Sequence, residues 1–335
     1  GNIAYEIITG PAASADPNYN GLDAANVSLT NQDNDTAGIT VSPRSGLVTT
    51  EAGGTATFTV VLATKPVADV TISLSSSDPS EGTVAPASLT FTAANWSTPR
   101  TVTVTGVDDP QVDGSVAYTI VTGAATSTDS NYNGLDAADV SVTNTDNDTA
   151  GITVNPVAGL VTTEAGGTAT FTVVLNTQPA ADVTIGLSSS NPSEGTVAPA
   201  SLVFTAADWN TPQTVSVTGV DDLADDSDVA YSILTAAAMS SDVNYNGLNP
   251  PDVSVTNQDN DTAGITISRS SGLVTTEAGG TATFTVVLNT QPVADVMIGL
   301  SSSDPGEGTV APASLVFTAT NWSTPQTVTL SGQND

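Results

Sequence analysis

Apolar and polar residues alternate along most of this chain with a period of two. In residues 55–62 the alternate positions facing one side are Ala56, Phe58, Val60 and Leu62. Threonine fills most positions between them, and the same alternation returns at 70–75, 102–104 and 116–120. This period is the signature of β-strands with one buried face, and no segment has a helical period. We therefore predict an all-β protein.

Turn-forming residues separate the predicted strands. They include Lys65-Pro66, Asp78-Pro79-Ser80, Asp108-Asp109-Pro110 and Asn133-Gly134. About seven short strands in roughly 110 residues, with turns every 8–12 residues, are typical of an immunoglobulin-like sandwich. We expect two antiparallel sheets packed face to face.

The pattern repeats every 113 residues without insertions or deletions. Trp96, Trp209 and Trp322 follow this step, and 85 of the 113 positions in 38–150 are identical in 151–263. We predict two complete β-sandwich repeats, at 38–150 and 151–263. Residues 1–37 correspond to the C-terminal part of a repeat, and residues 264–335 to the N-terminal part. Tandem repeats of this kind are expected to form a linear rod.

Composition narrows the function. The chain has 35 Asp and Glu residues against four Lys and Arg, which gives a net charge of −31. Nucleic acid is excluded as a partner because it requires a basic surface, and anionic membranes are disfavoured for the same reason. No apolar stretch reaches the length of a membrane span, so we expect no membrane insertion.

The carboxylates are concentrated where predicted strands end. In an antiparallel sandwich these ends can meet at one tip of the domain. Each pair of carboxylates 4 Å apart would cost about 1 kcal/mol even in water. A hard divalent cation removes this cost and takes six to eight oxygen ligands. The chain has no His and no Cys, which favours Ca²⁺ over zinc or copper. The plainer alternative is a set of solvated acidic turns.

The predicted calcium ligands follow the 113-residue step through the chain. They are Asp33, Asp35, Glu51, Asp108, Asp109, Asp113, Asp146, Asp148, Glu164, Asp221, Asp222, Asp226, Asp259, Asp261, Glu277 and Asp335.

Three short motifs of the unit resemble those of a known family. They are Glu51-Ala52-Gly53-Gly54 before Thr57-Phe58-Thr59-Val60, Thr101–Val104 running into Val107-Asp108-Asp109, and Asp146-Asn147-Asp148. With them the unit resembles a Calx-β domain, a calcium-binding immunoglobulin-like module found in tandem in large bacterial surface proteins. The resemblance implies that Glu51, Asp108, Asp109, Asp113, Asp146 and Asp148 are calcium ligands. The chain departs from the family pattern at Asn147 and by having no second Glu after Asp113, where Gly114, Ser115 and Val116 stand. These departures imply fewer or weaker ions per domain.

These features predict a non-catalytic structural segment of an extracellular filament or adhesin stalk at a bacterial cell surface. The connector 146–150 is short and acidic, so calcium at domain tips and junctions would stiffen the chain. The alternative is an adhesive module that binds carbohydrate or protein through the repeated loop at 131–136. An enzyme is disfavoured, because the chain has no His or Cys and no nucleophile with a plausible base.

Further copies of the same repeat are the expected partners, with surface glycans or proteins as the alternative. Residues 1–37 and 264–335 each correspond to part of a domain, and neither could bury its apolar face alone. Two explanations stay open. The chain is a window on a longer polypeptide, or residues 1–37 of one molecule complete 264–335 of the next in a head-to-tail assembly.

Overall fold

The computed structural model describes residues 1–334, and the prediction of an all-β protein is confirmed. The chain divides into two compact units, residues 1–148 and a second unit that begins at Thr149. Within residues 1–334 we find no helix with the length and apolar character that crossing a membrane would require.

Residues 1–37 form a hairpin of two antiparallel strands. They are β1 (Ile3–Ile7) and β2 (Val27–Asn31), paired from Ile3 opposite Asn31 to Ile7 opposite Val27. Every residue of both strands is exposed.

The first repeat is a sandwich of two sheets. Its strands are β3 (Ile39–Ser42), β4 (Leu47–Thr50), β5 (Thr55–Leu62), β6 (Val70–Ser76), β7 (Gly82–Ala85), β8 (Ser88–Phe91), β9 (Arg100–Gly106), β10 (Val116–Thr122), β11 (Thr126–Ser127) and β12 (Val140–Thr145). One sheet has the order β3-β5-β9-β7, and the other β11-β6-β10-β12-β4, with β8 also paired to β6. The core lies between the two sheets.

Burial follows the alternation in the sequence. Along β5, Phe58, Val60 and Leu62 are buried, and Thr59 and Val61 between them are partly exposed. In β6, Val70, Ile72 and Leu74 are likewise buried, and the residues between them are at least partly exposed. Each such side chain stabilises the fold by about 1.5–3 kcal/mol, so the alternating faces fix which side of each strand points inward.

One pair of strands in the first repeat is parallel. The chain crosses from one sheet to the other between β3 and β4, which brings β4 alongside the last strand, β12. Their register runs from Leu47 opposite Val142 to Thr50 opposite Thr145. The expected antiparallel pairing holds for the other ladders of this repeat.

The second repeat has the same plan. Its strands are β13 (Ile152–Asn155), β14 (Leu160–Thr163), β15 (Thr168–Leu175), β16 (Val183–Ser189), β17 (Gly195–Ala198), β18 (Ser201–Phe204), β19 (Gln213–Gly219), β20 (Val229–Thr235) and β21 (Val253–Gln258). The sheets have the orders β13-β15-β19-β17 and β14-β21-β20-β16-β18, and β14 pairs parallel with β21.

The third repeat has one full sheet and one small one. Its strands are β22 (Ile265–Ile267), β23 (Thr281–Leu288), β24 (Val296–Gly299), β25 (Gly308–Ala311), β26 (Ser314–Phe317) and β27 (Gln326–Gly332). The orders are β22-β23-β27-β25 and β24-β26. Its buried core is correspondingly small and comprises Val286, Leu288, Leu315, Phe317 and Val328.

Candidate metal centre

Four chain segments of the first repeat bring carboxylates to one tip of the sandwich, which we call the first acidic pole. The segments are the turn after β4, the loop before β7, the β9–β10 loop and the residues after β12. Its carboxylates are Glu51, Glu81, Asp108, Asp109, Asp113, Asp146 and Asp148.

Glu51 is held at the end of the parallel strand pair. Its N–H donates to the Thr145 carbonyl (3.1 Å), and the chain then turns through Gly53, whose φ of 80° favours glycine. The side chain is 3% exposed, and Oε2 accepts the N–H of Asn147 at 3.0 Å. Burial raises the pKa of Glu51 to about 7, although the Asn147 hydrogen bond opposes the shift. Positive charge near a buried carboxylate of this kind would lower its pKa and favour the ionised form.

The first of two carboxylate groups consists of Glu51, Asp146 and Asp148, each with an oxygen within 4.8 Å of the others. Asp146 Oδ1 accepts the N–H of Asp148 at 2.6 Å, and its Oδ2 accepts the N–H of Gly114 at 2.8 Å. These bonds fix the closing acidic run against the β9–β10 loop. In residues 1–334, Asp148 Oδ2 is the buried side-chain oxygen for which no hydrogen-bond partner is found. Burial, and next the charge of Asp146, raises the pKa of Asp148.

The second group consists of Glu81, Asp109 and Asp113, again with oxygens within 4.8 Å of one another. Glu81 is 5% exposed, and Asp109 Oδ1 accepts the N–H of Gln111 at 2.8 Å within the loop. Burial is the largest cause that raises the pKa of both Glu81 and Asp113. Asp109 adds to both shifts, so these side chains repel one another when ionised.

A series of buried hydrogen bonds leads to Glu81 of the second group and holds it in place. The Tyr118 hydroxyl lies 3.2 Å from Thr49 Oγ1, which donates to Asn144 Oδ1 at 3.0 Å. The Asn144 amide then donates to Glu81 Oε2 (3.3 Å) and to the Val107 carbonyl (3.0 Å). Since Thr49 and Asn144 are each 1% exposed, these hydrogen bonds fix the position of Glu81.

The second repeat forms a second acidic pole with the same two groups. They are Glu164, Asp259 and Asp261, and Glu194, Asp222 and Asp226. The supporting bonds recur, from the Asn260 N–H to Glu164 Oε2 (3.1 Å) and from the Asn257 amide to Glu194 Oε2 (3.3 Å). Burial raises the pKa of Glu164, and likewise those of Asp226 and Asp261.

Most of the predicted ligands are brought together, but some are not. Asp108 and Asp221 belong to the poles but lie outside the four groups, and each accepts an Asn side-chain amide, from Asn147 (3.1 Å) and Asn260 (3.0 Å). Asp33, Asp35 and Glu277 join none of the groups found in residues 1–334. The N-terminal ammonium bonds to Asp33 and lowers its pKa. Asp335 lies outside the described residues.

Sequence reasoning missed Glu81 and Glu194. Glu81 follows Asp78-Pro79-Ser80, which has the composition of a solvated turn. This composition predicts exposure, whereas the fold buries the Glu81 side chain. A usable signal was present, because Glu81, Glu194 and Glu307 recur with the same 113-residue step as Glu51.

Both poles lack compensating basic groups. Within residues 1–334, the ion pair found is between the N-terminal ammonium and Asp33, at neither pole. The donor set is all oxygen, from carboxylates, carbonyls and water, which suits a hard divalent cation. Ionised and unpaired, the same carboxylates would repel one another in a partly shielded site.

The repeated loop at 131–136 is a poor candidate for sugar stacking. Tyr132 is 1% exposed, and its hydroxyl donates to the Thr64 carbonyl at 2.7 Å. Its ring therefore belongs to the core and offers no platform to a ligand.

Comparison with known proteins gives similarity of fold alone. No protein-family model and no curated protein matches the chain. A crystal structure of CBD12 from CALX1.2 is 13% identical, covering 65% of this chain and 98% of that one, with a TM-score of 0.30. The calcium binding domain CBD12 of CALX1.1 is 14% identical, covering 63% and 82%, with a TM-score of 0.29. Domains 4 and 5 of the S-layer protein SbsC are 15% identical, covering 56% and 75%, with a TM-score of 0.26. Such scores carry no argument about function, which rests on the acidic poles.

Proposed function

We propose that this chain is a calcium-binding, non-catalytic structural segment of an extracellular filament or adhesin stalk, such as those on bacterial surfaces. Calcium at the acidic poles would hold the loops of each repeat together and stiffen the connection to the next repeat. The chain contains neither His nor Cys, which are common catalytic bases and nucleophiles.

The observation that carries the proposal is the unpartnered Oδ2 of Asp148. It is buried beside Glu51 and Asp146, where an unsatisfied charged oxygen is costly. A cation within reach of these three side chains satisfies that oxygen and removes their mutual repulsion. The group Glu81, Asp109 and Asp113 would hold a further ion, or share the first, in the same way.

A bound ion would supply positive charge and oxygen coordination. The protein's own contribution is to preorganise the donors, through the Asn147 N–H on Glu51 and the Asn144 amide on Glu81. The number of carboxylates favours Ca²⁺ over Mg²⁺, because Mg²⁺ keeps most of its water and is usually held by one or two carboxylates. Extracellular calcium modules bind with Kd of about 10⁻⁴ to 10⁻³ M, and we expect Kd values in or below that range for this chain.

Isothermal titration calorimetry with CaCl₂ tests the proposal on the whole chain. The double variant Asp148→Asn/Asp261→Asn removes one charge from the same position of each pole and should weaken binding at least tenfold. The matched control is Asp69→Asn/Asp182→Asn. Asp69 is exposed at the far end of β6, about 23 Å from the pole along the strand. The proposal fails if calcium does not bind, or if the first variant binds like the control.

The stiffening is supported by a contact between the second and third repeats, in which the Leu223 carbonyl accepts the N–H of Gln291 at 2.6 Å. Asp225 Oδ2 accepts the N–H of Ala263, the last residue of the second repeat, at 2.7 Å. Both acceptors lie in the β19–β20 loop, which also carries Asp222 and Asp226 of the second pole. An ion that orders this loop therefore also orders its contact with the next repeat.

Small-angle X-ray scattering with calcium and with chelator tests the stiffening separately from binding. We expect the maximum dimension to be larger, and the profile to fit fewer conformers, in calcium. An identical profile in chelator, with calorimetric binding intact, would limit calcium to a role inside each repeat.

A further inference from the structure

The strands of the three repeats carry almost no charge. Among the residues of β3 to β27, Arg100 is the only charged one, so the Asp and Glu residues described in these repeats lie in loops. The net charge of −31 is therefore concentrated in the connections between strands, and the outer faces of the sheets are neutral. Neutral faces on so acidic a chain suit a ligand that itself has no charge.

The outer face of one sheet in the first repeat is a regular array of threonines. Strands β5 and β9 are the two inner strands of the sheet β3-β5-β9-β7, and each directs three threonines outward while the residues between them face the core. These six residues, which we call the threonine face, are Thr55, Thr57, Thr59, Thr101, Thr103 and Thr105. They form three opposed pairs, Thr55–Thr105, Thr57–Thr103 and Thr59–Thr101.

The spacing within the threonine face is uniform. Residues two positions apart on a strand are separated by about 6.8 Å, and neighbouring strands lie about 4.8 Å apart. Opposed residues of an antiparallel pair alternate between two geometries, so every second pair has the same geometry. The three threonine pairs occupy every second position of the ladder, and their separations are therefore nearly equal. Because β5 and β9 are adjacent, the twist of about 20–25° between neighbouring strands enters only once.

The hydroxyl groups of the threonine face are available to a ligand. In residues 1–334 we find a protein hydrogen-bond partner for one of the six hydroxyls, that of Thr59, which donates to the Ser42 carbonyl at 3.2 Å. Each hydroxyl both donates and accepts, and a methyl group stands beside it on the same Cβ. The face thus presents hydrogen-bonding groups at fixed positions with apolar groups between them.

The array recurs in the other two repeats. Strand β15 pairs with β19, and β23 with β27, in the register of β5 on β9. Of the twelve equivalent positions ten are Thr, and the other two, Ser216 and Ser331, also carry a hydroxyl. The outer face of the other sheet is less regular, since Val48, Ala117 and Val121 are exposed there. Strand propensity favours Val as well as Thr on an outer face, so it does not account for this difference.

We propose that the threonine face binds the surface of ice. On the prism face of hexagonal ice the water oxygens form a two-dimensional lattice whose two repeat distances are close to those of the threonine face. Threonine hydroxyls at these positions take the place of lattice water molecules, and the methyl groups fit between them. The ice surface is uncharged, and a neutral protein face meets it without removing any charged group from water.

A crystalline polysaccharide is the competing ligand for a neutral, regular face. Aromatic rings that stack on the sugars are the usual means of binding such a surface. The threonine face has no aromatic side chain, and Phe58 of β5 points into the core and is 1% exposed. The side chains present therefore favour ice.

Partition into slowly growing ice tests the proposal on the whole chain. Ice that grows from a cold surface rejects ordinary solutes, whereas a protein that binds ice is incorporated. We expect the chain to be enriched in the ice fraction relative to serum albumin, an acidic protein used as the non-binding reference. Incorporation equal to that of albumin would overturn the proposal.

Two triple variants test whether the threonine face is the surface that binds. Thr57→Lys/Thr170→Lys/Thr283→Lys places a charge in the middle row of each repeat and should reduce incorporation about tenfold or more, because the ammonium groups would have to leave water. The matched control, Ser88→Lys/Ser201→Lys/Ser314→Lys, adds the same charge to the outer face of the other sheet and should change incorporation by less than about twofold. The six positions are exposed, so both variants should stay folded.

An uncharged variant separates the loss of the array from the added charge. Thr57→Ala/Thr170→Ala/Thr283→Ala should also reduce incorporation, by a smaller factor than the lysine variant. Equal losses in the two lysine variants would contradict binding through the threonine face. Adsorption to cellulose powder that depends on these threonines, without incorporation into ice, would also contradict the proposal.

Discussion

The two acidic poles keep the same carboxylate geometry on different loops. The β9–β10 loop reads Pro110-Gln111-Val112-Asp113-Gly114-Ser115, and the β19–β20 loop reads Leu223-Ala224-Asp225-Asp226-Ser227-Asp228. The bond from residue 114 to Asp146 nevertheless recurs, because the Ser227 N–H donates to Asp259 Oδ2 at the same 2.8 Å. Backbone donors and the buried Asn144 and Asn257 therefore set the carboxylate positions, and the loop side chains are free to vary.

The second pole is the more highly charged one. Asp225 and Asp228 stand where the first pole has Val112 and Ser115, and no basic residue accompanies them. Ser227 also adopts a φ of 69°, which Gly114 reaches without steric cost at 77°. The second pole should therefore depend more strongly on a bound cation than the first.

The largest expected effect is that of calcium removal, and it should be larger for the second repeat. An ion bound only by the folded state at 100 times its Kd contributes about 2.7 kcal/mol, so chelation should lower each repeat's midpoint by several degrees. Fluorescence during thermal melting reports on the first repeat in a variant whose single tryptophan is Trp96. It reports on the second repeat in a variant whose single tryptophan is Trp209. Asp225→Val should narrow the difference between the two repeats. Equal shifts in both would show that the extra carboxylates are merely solvated.

The next effect is expected from Glu51→Gln and Glu164→Gln. Each variant should weaken calcium binding at its pole by about 10- to 100-fold, because a buried charged donor is replaced by a neutral one. In chelator at pH 8 each should be more stable than the parent, since it removes a buried, unpaired charge. Urea unfolding with and without calcium measures both changes. A variant that is less stable in both conditions would indicate a structural role for the carboxylate.

A pH titration of the calcium-free protein should give a smaller effect. The pKa of Glu51 is about 7 in the folded protein, against 4.5 ordinarily, so between these values the folded state binds more protons. Stability should therefore fall as pH rises from about 4.5 to 7. Glu81 and Asp148, with Glu164 in the second repeat, are shifted in the same direction.

Calcium should reverse this dependence, because protons and calcium compete for the same oxygens. Melting temperatures at half-unit pH intervals, with calcium and with chelator, measure both curves. Carboxylates with lowered pKa, such as Asp78 and Asp259, lose their contribution only as pH falls below about 4, outside this window. A chelator curve that rises between pH 4.5 and 7 would contradict the burial assigned to Glu51.

The smallest effect tests the backbone of the two loops. Ser227→Gly should stabilise the second repeat by about 0.5–1 kcal/mol, since glycine adopts this positive φ without strain. The reciprocal change, Gly114→Ser, should destabilise the first repeat by a similar amount. Urea unfolding in saturating calcium measures both. If Ser227→Gly destabilised the second repeat and Gly114→Ser stabilised the first, the Ser227 hydroxyl, rather than the backbone, would determine the stability of the loop.

The sequence predicted the strands well because their alternation is strict. The pattern at Phe58, Val60 and Leu62 gives both the extent and the inner face of β5. The parallel partner of β4 was not predictable, since strand order depends on where the chain crosses between sheets. Glu81 was missed because its burial depends on Asn144, a residue 63 positions away. Local composition carries no trace of such a contact.

The parallel pairing of β4 with β12 has a mechanical consequence. These strands are close to the entry and exit of the first repeat, so tension along the chain pulls them in opposite directions. Four opposed residue pairs, from Leu47–Val142 to Thr50–Thr145, would be loaded in shear and must yield together. Shear loading resists rupture better than unzipping, in which bonds break one at a time. We therefore expect each complete repeat to withstand considerable pulling force, as a load-bearing tether requires.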